Sequence, residues 1–229
     1  TTKMWPGMFN QEESFQTFDG AIKACEQSLK FLQVNEIDLY LIHNPFAKEN
    51  RLELWEAMIE LKKQGKVKHI GVSNYNVHHM KEIEAAGIEM PSANQIEIHP
   101  WHIIPHSLDK YMKKNEILPI AYSTLAPIPN WREGSRWNGK PEDMKSGAMP
   151  CENIANKYEV TVPQLFLKWA IQQGYPVLPK SVKYDRLKEN LSLDHFKISM
   201  DDMTAISNTA IDKQKCLAWS GEFDPLEVD

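Results

Sequence analysis

Several short apolar runs in this sequence end in residues capable of chemistry. Ile37 to Ile42 runs into His43-Asn44, and Val67 to Val72 runs into Ser73-Asn74. Ala93 to Ile98 carries Gln95, Leu118 to Ser123 closes on Tyr122-Ser123, and Val177-Leu178 leads to Pro179-Lys180-Ser181. An imidazole can hold or move a proton near neutral pH. Lysine and arginine together, as in Lys180 and Arg186, suit a dianionic phosphate.

Taken one at a time these residues say little. Lys3 alone is a solvated charge, and His43 alone is a structural histidine closing a strand. Tyr122 is as readily core as site, and Lys180 to Arg186 passes for a basic surface. His99, His102 and His106 suggest a metal by two of their intervals. Pro100 and Pro105 break the helix that would align them, and no carboxylate or cysteine is seen to complete the set, so no metal is expected. Asn190-Leu191-Ser192 is a glycosylation sequon by pattern only.

The elements that must position these residues alternate. Phe18, Ala21, Ile22, Cys25, Leu29 and Leu32 fall at helical spacing ahead of the first of these runs. A second helix around Leu54, Trp55, Met58, Ile59 and Leu61 stops at Gly65, and a third closes at Gly87. Thr161-Val162-Pro163-Gln164 has the spacing of a capping box, and Ser199 offers another N-cap. Strands alternating with helices imply a parallel sheet with crossovers. The strand-closing residues then share its carboxyl edge, where ligands bind in α/β folds. No Gly-x-Gly-x-x-Gly follows a strand, which argues for a barrel and against a Rossmann fold. The segment Thr124 to Pro150, with Trp131 and Trp137, and the tail from Leu217 to Asp229, with Trp219 and Phe223, are expected to cover a pocket.

Composition excludes several classes. The chain has 229 residues and a net charge of −5, which opposes a nucleic-acid role. No run approaches the ~18–20 apolar residues of a membrane span. Cys25, Cys151 and Cys216 are far apart and odd in number, as in a reducing compartment, so a cytoplasmic location is expected.

At its strand ends the sequence resembles the aldo-keto reductases. The resemblance rests on Thr1-Thr2-Lys3-Met4-Trp5, Asp38-Leu39-Tyr40-Leu41-Ile42-His43 and Gly71-Val72-Ser73-Asn74. It continues through Asn94-Gln95-Ile96-Glu97 with His99-Pro100, Ala121-Tyr122-Ser123, and Pro179-Lys180-Ser181-Val182 with Arg186 and Glu189-Asn190. It implies one α/β domain over residues 1–229: a (β/α)8 TIM barrel of aldo-keto reductase type, N-terminally incomplete, with units three to eight present. The implied reaction is NADPH-dependent reduction of aldehydes or ketones to alcohols.

By resemblance, Lys3 is the lysine that lowers the pKa of a catalytic tyrosine, and His43 orients the substrate carbonyl. Ser73, Asn74 and Gln95 would bond the nicotinamide carboxamide, and Tyr122 would stack on its ring. Ser123 and Leu125 would lie along the pyrophosphate. Lys180, Ser181, Val182 and Arg186 would gather at a 2′-phosphate, with Glu189 and Asn190 near the adenine, so NADP(H) is expected over NAD(H). Trp5 and Asn44 would border a small-molecule carbonyl substrate. No tyrosine or aspartate precedes Lys3. The general acid and its aspartate are therefore expected to be missing, leaving this chain inactive alone. The alternative expectation is a non-catalytic, barrel-derived subunit or an NADP(H)-binding protein in a larger assembly, with a partner protein over the open barrel edges.

Overall fold

The computed structural model describes residues 1–6, 15–126, 151–209, 216 and 225–227. Most of the segments expected to cover a pocket, with Trp131, Trp137, Trp219 and Phe223, lie outside the described residues. Five strands form one sheet in the order β1-β2-β3-β4-β5. These are β1 (Thr2–Met4), β2 (Ile37–Ile42), β3 (Val67–Ser73), β4 (Ala93–Glu97) and β5 (Leu118–Tyr122). The described helices are α1 (Phe18–Leu32), α2 (Arg51–Lys63), α3 (Val77–Ala85), α4 (His106–Lys114), α5 (151–157), α6 (Val162–Gln172), α7 (Tyr184–Leu191) and α8 (Met200–Asn208). The chain divides into two compact units. The first comprises Thr1–Gln95, His106–Pro119 and Pro225–Asp229, and the second Ile96–Pro105 and Ile120–Asp224.

In the first unit the strands pair in parallel, with Met4 opposite Ile42, Ile42 opposite Val72, and Ser73 opposite Gln95. This register brings His43, Ser73-Asn74 and Gln95 to one carboxyl edge, as the alternating pattern required. Tyr40, Leu41, Ile42, Ile70 and Val72 are fully buried, as strands covered on both faces should be. Gly71 is dictated by this packing. A Cβ there would lie 2.6 Å from the Ala93 carbonyl oxygen and 2.7 Å from Leu41. Helix α1 starts at Thr17, whose hydroxyl accepts from the Gly20 N–H at 3.2 Å. Of the apolar set visible in the sequence, helix α2 buries Leu54, Trp55, Met58 and Leu61 and leaves Ile59 half-buried.

In the second unit the Thr161–Gln164 capping box forms as its spacing indicated, with Pro163 in the first turn. Helix α6 buries Leu165, Phe166, Trp169 and Ala170, and the Trp169 indole donates to Ser207 of α8 at 3.0 Å. The last strand expected from Val177-Leu178 is reduced to a single bridge between Ala121 and Val177. Pro176 and Pro179 flank that dipeptide and lack the N–H groups a longer ladder needs. All three cysteines are buried free thiols. Among the described residues no helix is long and apolar enough to cross a membrane.

Candidate active site

The carboxyl edge of the first unit assembles a connected polar cluster. Lys3, half-buried on β1, donates from Nζ to the Ser73 hydroxyl at 3.4 Å. Ser73 in turn donates to the Gln95 carbonyl at 2.7 Å. The Asn74 side-chain amide donates both to Ser73 Oγ at 3.2 Å and to the His43 carbonyl at 2.9 Å. Asn74 adopts φ 63°, a left-handed conformation that asparagine accepts more readily than most residues. The His43 N–H donates to the Met4 carbonyl at 2.9 Å. Trp5 meets the imidazole edge to face, with ring centroids 4.9 Å apart.

Burial sets the protonation of the two titratable members. Desolvation lowers the Lys3 pKa to about 8. Desolvation, reinforced by the charge of Lys3, lowers the His43 pKa to about 4. The imidazole is therefore neutral at neutral pH and keeps one ring N–H to donate toward an oxygen gaining negative charge.

The five sequence-derived residues Lys3, His43, Ser73, Asn74 and Gln95 thus come together, with Trp5 beside them. Their roles divide differently from the expectation. The Ser73 hydroxyl is engaged within the protein, donating once and accepting twice. Gln95 is only 4% exposed, and its side-chain amide makes no hydrogen bond among the described residues. An uncommitted amide at this edge suits a carboxamide ligand, since a primary amide can both give to and accept from another. Asn44 is fully buried, and its Oδ1 accepts from the Phe46 N–H at 3.0 Å. It shapes the turn after His43 where the sequence reading had it bordering a substrate.

The remaining ligand candidates lie in the second unit. Tyr122, Ser123 and Leu125 are half-buried in the turn that closes β5, where Ser123 takes φ 55° and its carbonyl accepts from the Ala126 N–H at 2.8 Å. Lys180, Val182 and Arg186 are exposed around the start of α7, and Lys180 and Arg186 make no ion pair or hydrogen bond among the described residues. The Ser181 hydroxyl accepts from the Lys183 N–H at 3.1 Å, and α7 has no side-chain cap of its own. Two uncommitted cations beside a helix N-terminus have the chemistry of a phosphate site. Glu189 instead accepts from the Thr161 hydroxyl, so its carboxylate anchors the α6 cap, and Asn190 is buried.

One buried cluster was missed in the sequence. Glu97 accepts from His99 Nε2 at 2.8 Å and from the Cys216 thiol at 3.0 Å, while His102 Nδ1 donates to the Glu97 carbonyl at 2.9 Å. A carboxylate and a cysteine therefore do join His99 and His102, contrary to the sequence reading. They are joined by hydrogen bonds, and the described residues contain no group arranged to hold a metal. The Trp101 N–H donates to His99 Nδ1 at 3.2 Å, which places the ring proton on Nε2. Burial lowers the His99 pKa, and for Glu97 the His99 and Cys216 donors outweigh the upward push of burial. The Glu-x-His alternation was a legible signal for half of this cluster. Cys216, distant in sequence, was not.

Comparison with known proteins settles the lineage. The profile of the Aldo/keto reductase family matches residues 1–211. The chain belongs to that family. It is 34% identical over 206 residues to glyoxal reductase of Bacillus subtilis (strain 168), covering 90% of this chain and 66% of that protein. It is 33% identical over 210 residues to methylglyoxal reductase DkgA of Escherichia coli O157:H7, covering 90% and 67%. Among solved structures it is similar to a point mutant of Gox0644 in complex with NADPH, with a TM-score of 0.77 and 32% identity over 100% of this chain and 74% of that one. The chain spans about two thirds of the length of the curated relatives it matches. These neighbours are aldo-keto reductase (β/α)8 barrels, so the α/β barrel class expected from the strand ends is the class of this fold.

Proposed function

We propose that this protein takes part in NADPH-dependent reduction of small carbonyl compounds to alcohols. One observation carries the reading: the Ser73–Asn74 hydrogen bonds join the half-buried amine of Lys3 to the main chain of His43 at one sheet edge, where burial favours the neutral imidazole. NADPH, when bound, supplies the hydride. His43 presents its ring N–H to the carbonyl oxygen and stabilises the negative charge that develops there. Lys3 would lower the pKa of the acid that finally protonates that oxygen, a role the family resemblance gives to a tyrosine. Trp5 forms an aromatic wall, and its edge contact fixes the imidazole plane.

Gln95 would hold the carboxamide and Tyr122 the nicotinamide face, with Ser123 and Leu125 along the pyrophosphate. Lys180 and Arg186 would take a 2′-phosphate, which favours NADP(H) over NAD(H). Asn74, Ser181, Val182, Glu189 and Asn190 would shape these contacts. The glyoxal and methylglyoxal reductases among the relatives make small dicarbonyls the first substrates to try. The test is NADPH oxidation by the full chain with methylglyoxal, compared with His43→Gln. Turnover lost in the variant supports the reading, and turnover unaffected by it refutes the role of His43.

A second reading is NADP(H) binding without turnover. It is favoured by the Gln95 amide and by Lys180 and Arg186, which make no hydrogen bond or ion pair among the described residues and are all binding features. It predicts quenching of tryptophan fluorescence by NADPH with no methylglyoxal-dependent oxidation.

A further inference from the structure

Arg51 is the first residue of α2, where the positive end of the helix dipole disfavours a cation. Its position must therefore be fixed by partners. It binds the Glu82 carboxylate of α3 in a fork, with Nε to Oε2 at 2.8 Å and Nη2 to Oε1 at 2.5 Å. Its remaining arm, Nη1, donates to the Pro45 carbonyl at 3.1 Å. The Arg51 side chain is only 10% exposed, so the pair is held largely out of water. The hydrogen bond to Glu82 raises the Arg51 pKa, and the same bond lowers that of Glu82.

Pro45 lies two residues beyond His43, in a segment secured at several points. The His43 N–H is held by the Met4 carbonyl, the His43 carbonyl by Asn74, and the turn by Asn44 Oδ1 and the Phe46 N–H. Proline brings no N–H of its own, so its carbonyl is the only main-chain hydrogen-bonding group that residue offers. Arg51 takes it. A planar guanidinium can serve a carboxylate with one edge and a carbonyl with another, which a lysine ammonium cannot do with fixed geometry.

We infer that Arg51, oriented by Glu82, is a positioning residue for His43. Through the Pro45 carbonyl it sets the segment that aims the imidazole at the carbonyl-binding edge. The inference rests on His43 being the carbonyl-orienting group, and it adds the clamp that places it. Arg51 itself touches neither substrate nor cofactor.

The test reads His43 directly and needs no turnover, so its outcome is independent of whether the reduction is observed. The imidazole of His43 is titrated by NMR in the full chain, with resonances assigned by comparison with His43→Gln. Its midpoint is about 4 in the native protein, held down by burial and by Lys3, the charged group that acts on it. In Arg51→Met the loosened segment admits water, and the midpoint moves up toward the ordinary imidazole value of about 6.5. Glu82→Gln, which keeps its volume, moves it the same way by less.

The exchanged pair Arg51→Glu with Glu82→Arg separates positioning from stability. It restores a salt bridge but removes the donor from Pro45, so the melting temperature recovers while the His43 midpoint stays displaced. A midpoint unchanged in both Arg51→Met and Glu82→Gln, whatever their melting temperatures, overturns the inference. So does a midpoint that returns to the native value in the exchanged pair.

Discussion

The side-chain amide of Asn74 donates to the main-chain carbonyl of His43 across 2.9 Å, tying the end of β3 to the end of β2 where the strand ladder has stopped. Asn74 can do this because it sits at φ 63°, which turns its side chain back over the sheet edge. One residue thus meets two demands, a left-handed backbone and an amide donor of the right length.

Those demands can be separated. Asn74→Gly accepts the backbone but loses the amide, whereas Asn74→Ala loses the amide and also strains the backbone. The two lost hydrogen bonds, to the His43 carbonyl and to Ser73 Oγ, cost about 1–3 kcal/mol together in either variant, and the strain about 1–2 kcal/mol more in alanine. Urea denaturation should therefore rank wild type above Asn74→Gly and Asn74→Gly above Asn74→Ala. Equal destabilisation by the two variants would show that φ carries no weight here.

The half-buried imidazole of His43 predicts an acid limb in stability. His43 has its pKa lowered to about 4 from 6.5, so the unfolded chain binds the extra proton first as pH falls. Its neutral form is accommodated without penalty above the unfolded value. The penalty grows as pH falls from about 6.5 through 4 and is complete below that, amounting to roughly 3 kcal/mol at most. His43→Gln should flatten this limb in melting temperatures measured between pH 7 and 4. A limb of the same steepness in the variant would assign the acid sensitivity to other groups.

Lys3 follows the same sign at higher pH. Its pKa is lowered to about 8 from 10.5, so at neutral pH the protein bears the penalty of a desolvated ammonium. That penalty is relieved as pH rises through 8 toward 10.5, where the folded amine is neutral while the unfolded one is still charged. Lys3→Met keeps the stem and removes the charge. At pH 7 it should stabilise the fold by about 1–2 kcal/mol while abolishing any carbonyl-dependent NADPH oxidation. A destabilised variant would mean that the ammonium is compensated by its surroundings.

Much of this was legible because period and punctuation are local. The helix over Phe18–Leu32, the Thr161–Gln164 capping box and the polar residues closing β2, β3 and β5 are each decided within a few residues of chain, although of the apolar face read for that helix only Ala21 and Cys25 are buried and Leu32 is exposed. What the sequence hid is long-range. Nothing in Arg51-Leu52-Glu53 indicates a partner 31 residues away at Glu82, and nothing near Glu97 indicates Cys216. Nor could spacing show that Ser73 would be engaged by three neighbours while the Gln95 amide met none among the described residues, since that depends on rotamers at one sheet edge. Val177-Leu178 failed for a local reason that was readable: two flanking prolines limited the strand to one bridge.

The same edge explains why Gly71 tolerates no side chain. A Cβ would stand 2.6 Å from the Ala93 carbonyl oxygen, a backbone atom that can move only by breaking the β3–β4 register. Gly71→Ala should cost about 1–3 kcal/mol, as overpacking does. It should also displace Ser73 and Gln95, lowering NADPH affinity. Native stability and native NADPH binding in the variant would show that the strands spread freely.

Two cations stand before and within α7. Lys180 and Arg186 are exposed and engaged with no other described residue, so neither is needed to hold the fold. If they meet a 2′-phosphate, Arg186→Ala should weaken NADPH binding about tenfold, the loss of one charge-assisted contact, and leave NADH binding unchanged. Lys180→Ala should act in the same direction, and both variants should melt within about 0.5 kcal/mol of the native protein. Tryptophan fluorescence titrated with each dinucleotide measures the difference. Loss of NADH affinity equal to that for NADPH would place these cations on the shared pyrophosphate and remove the basis for preferring the phosphorylated cofactor.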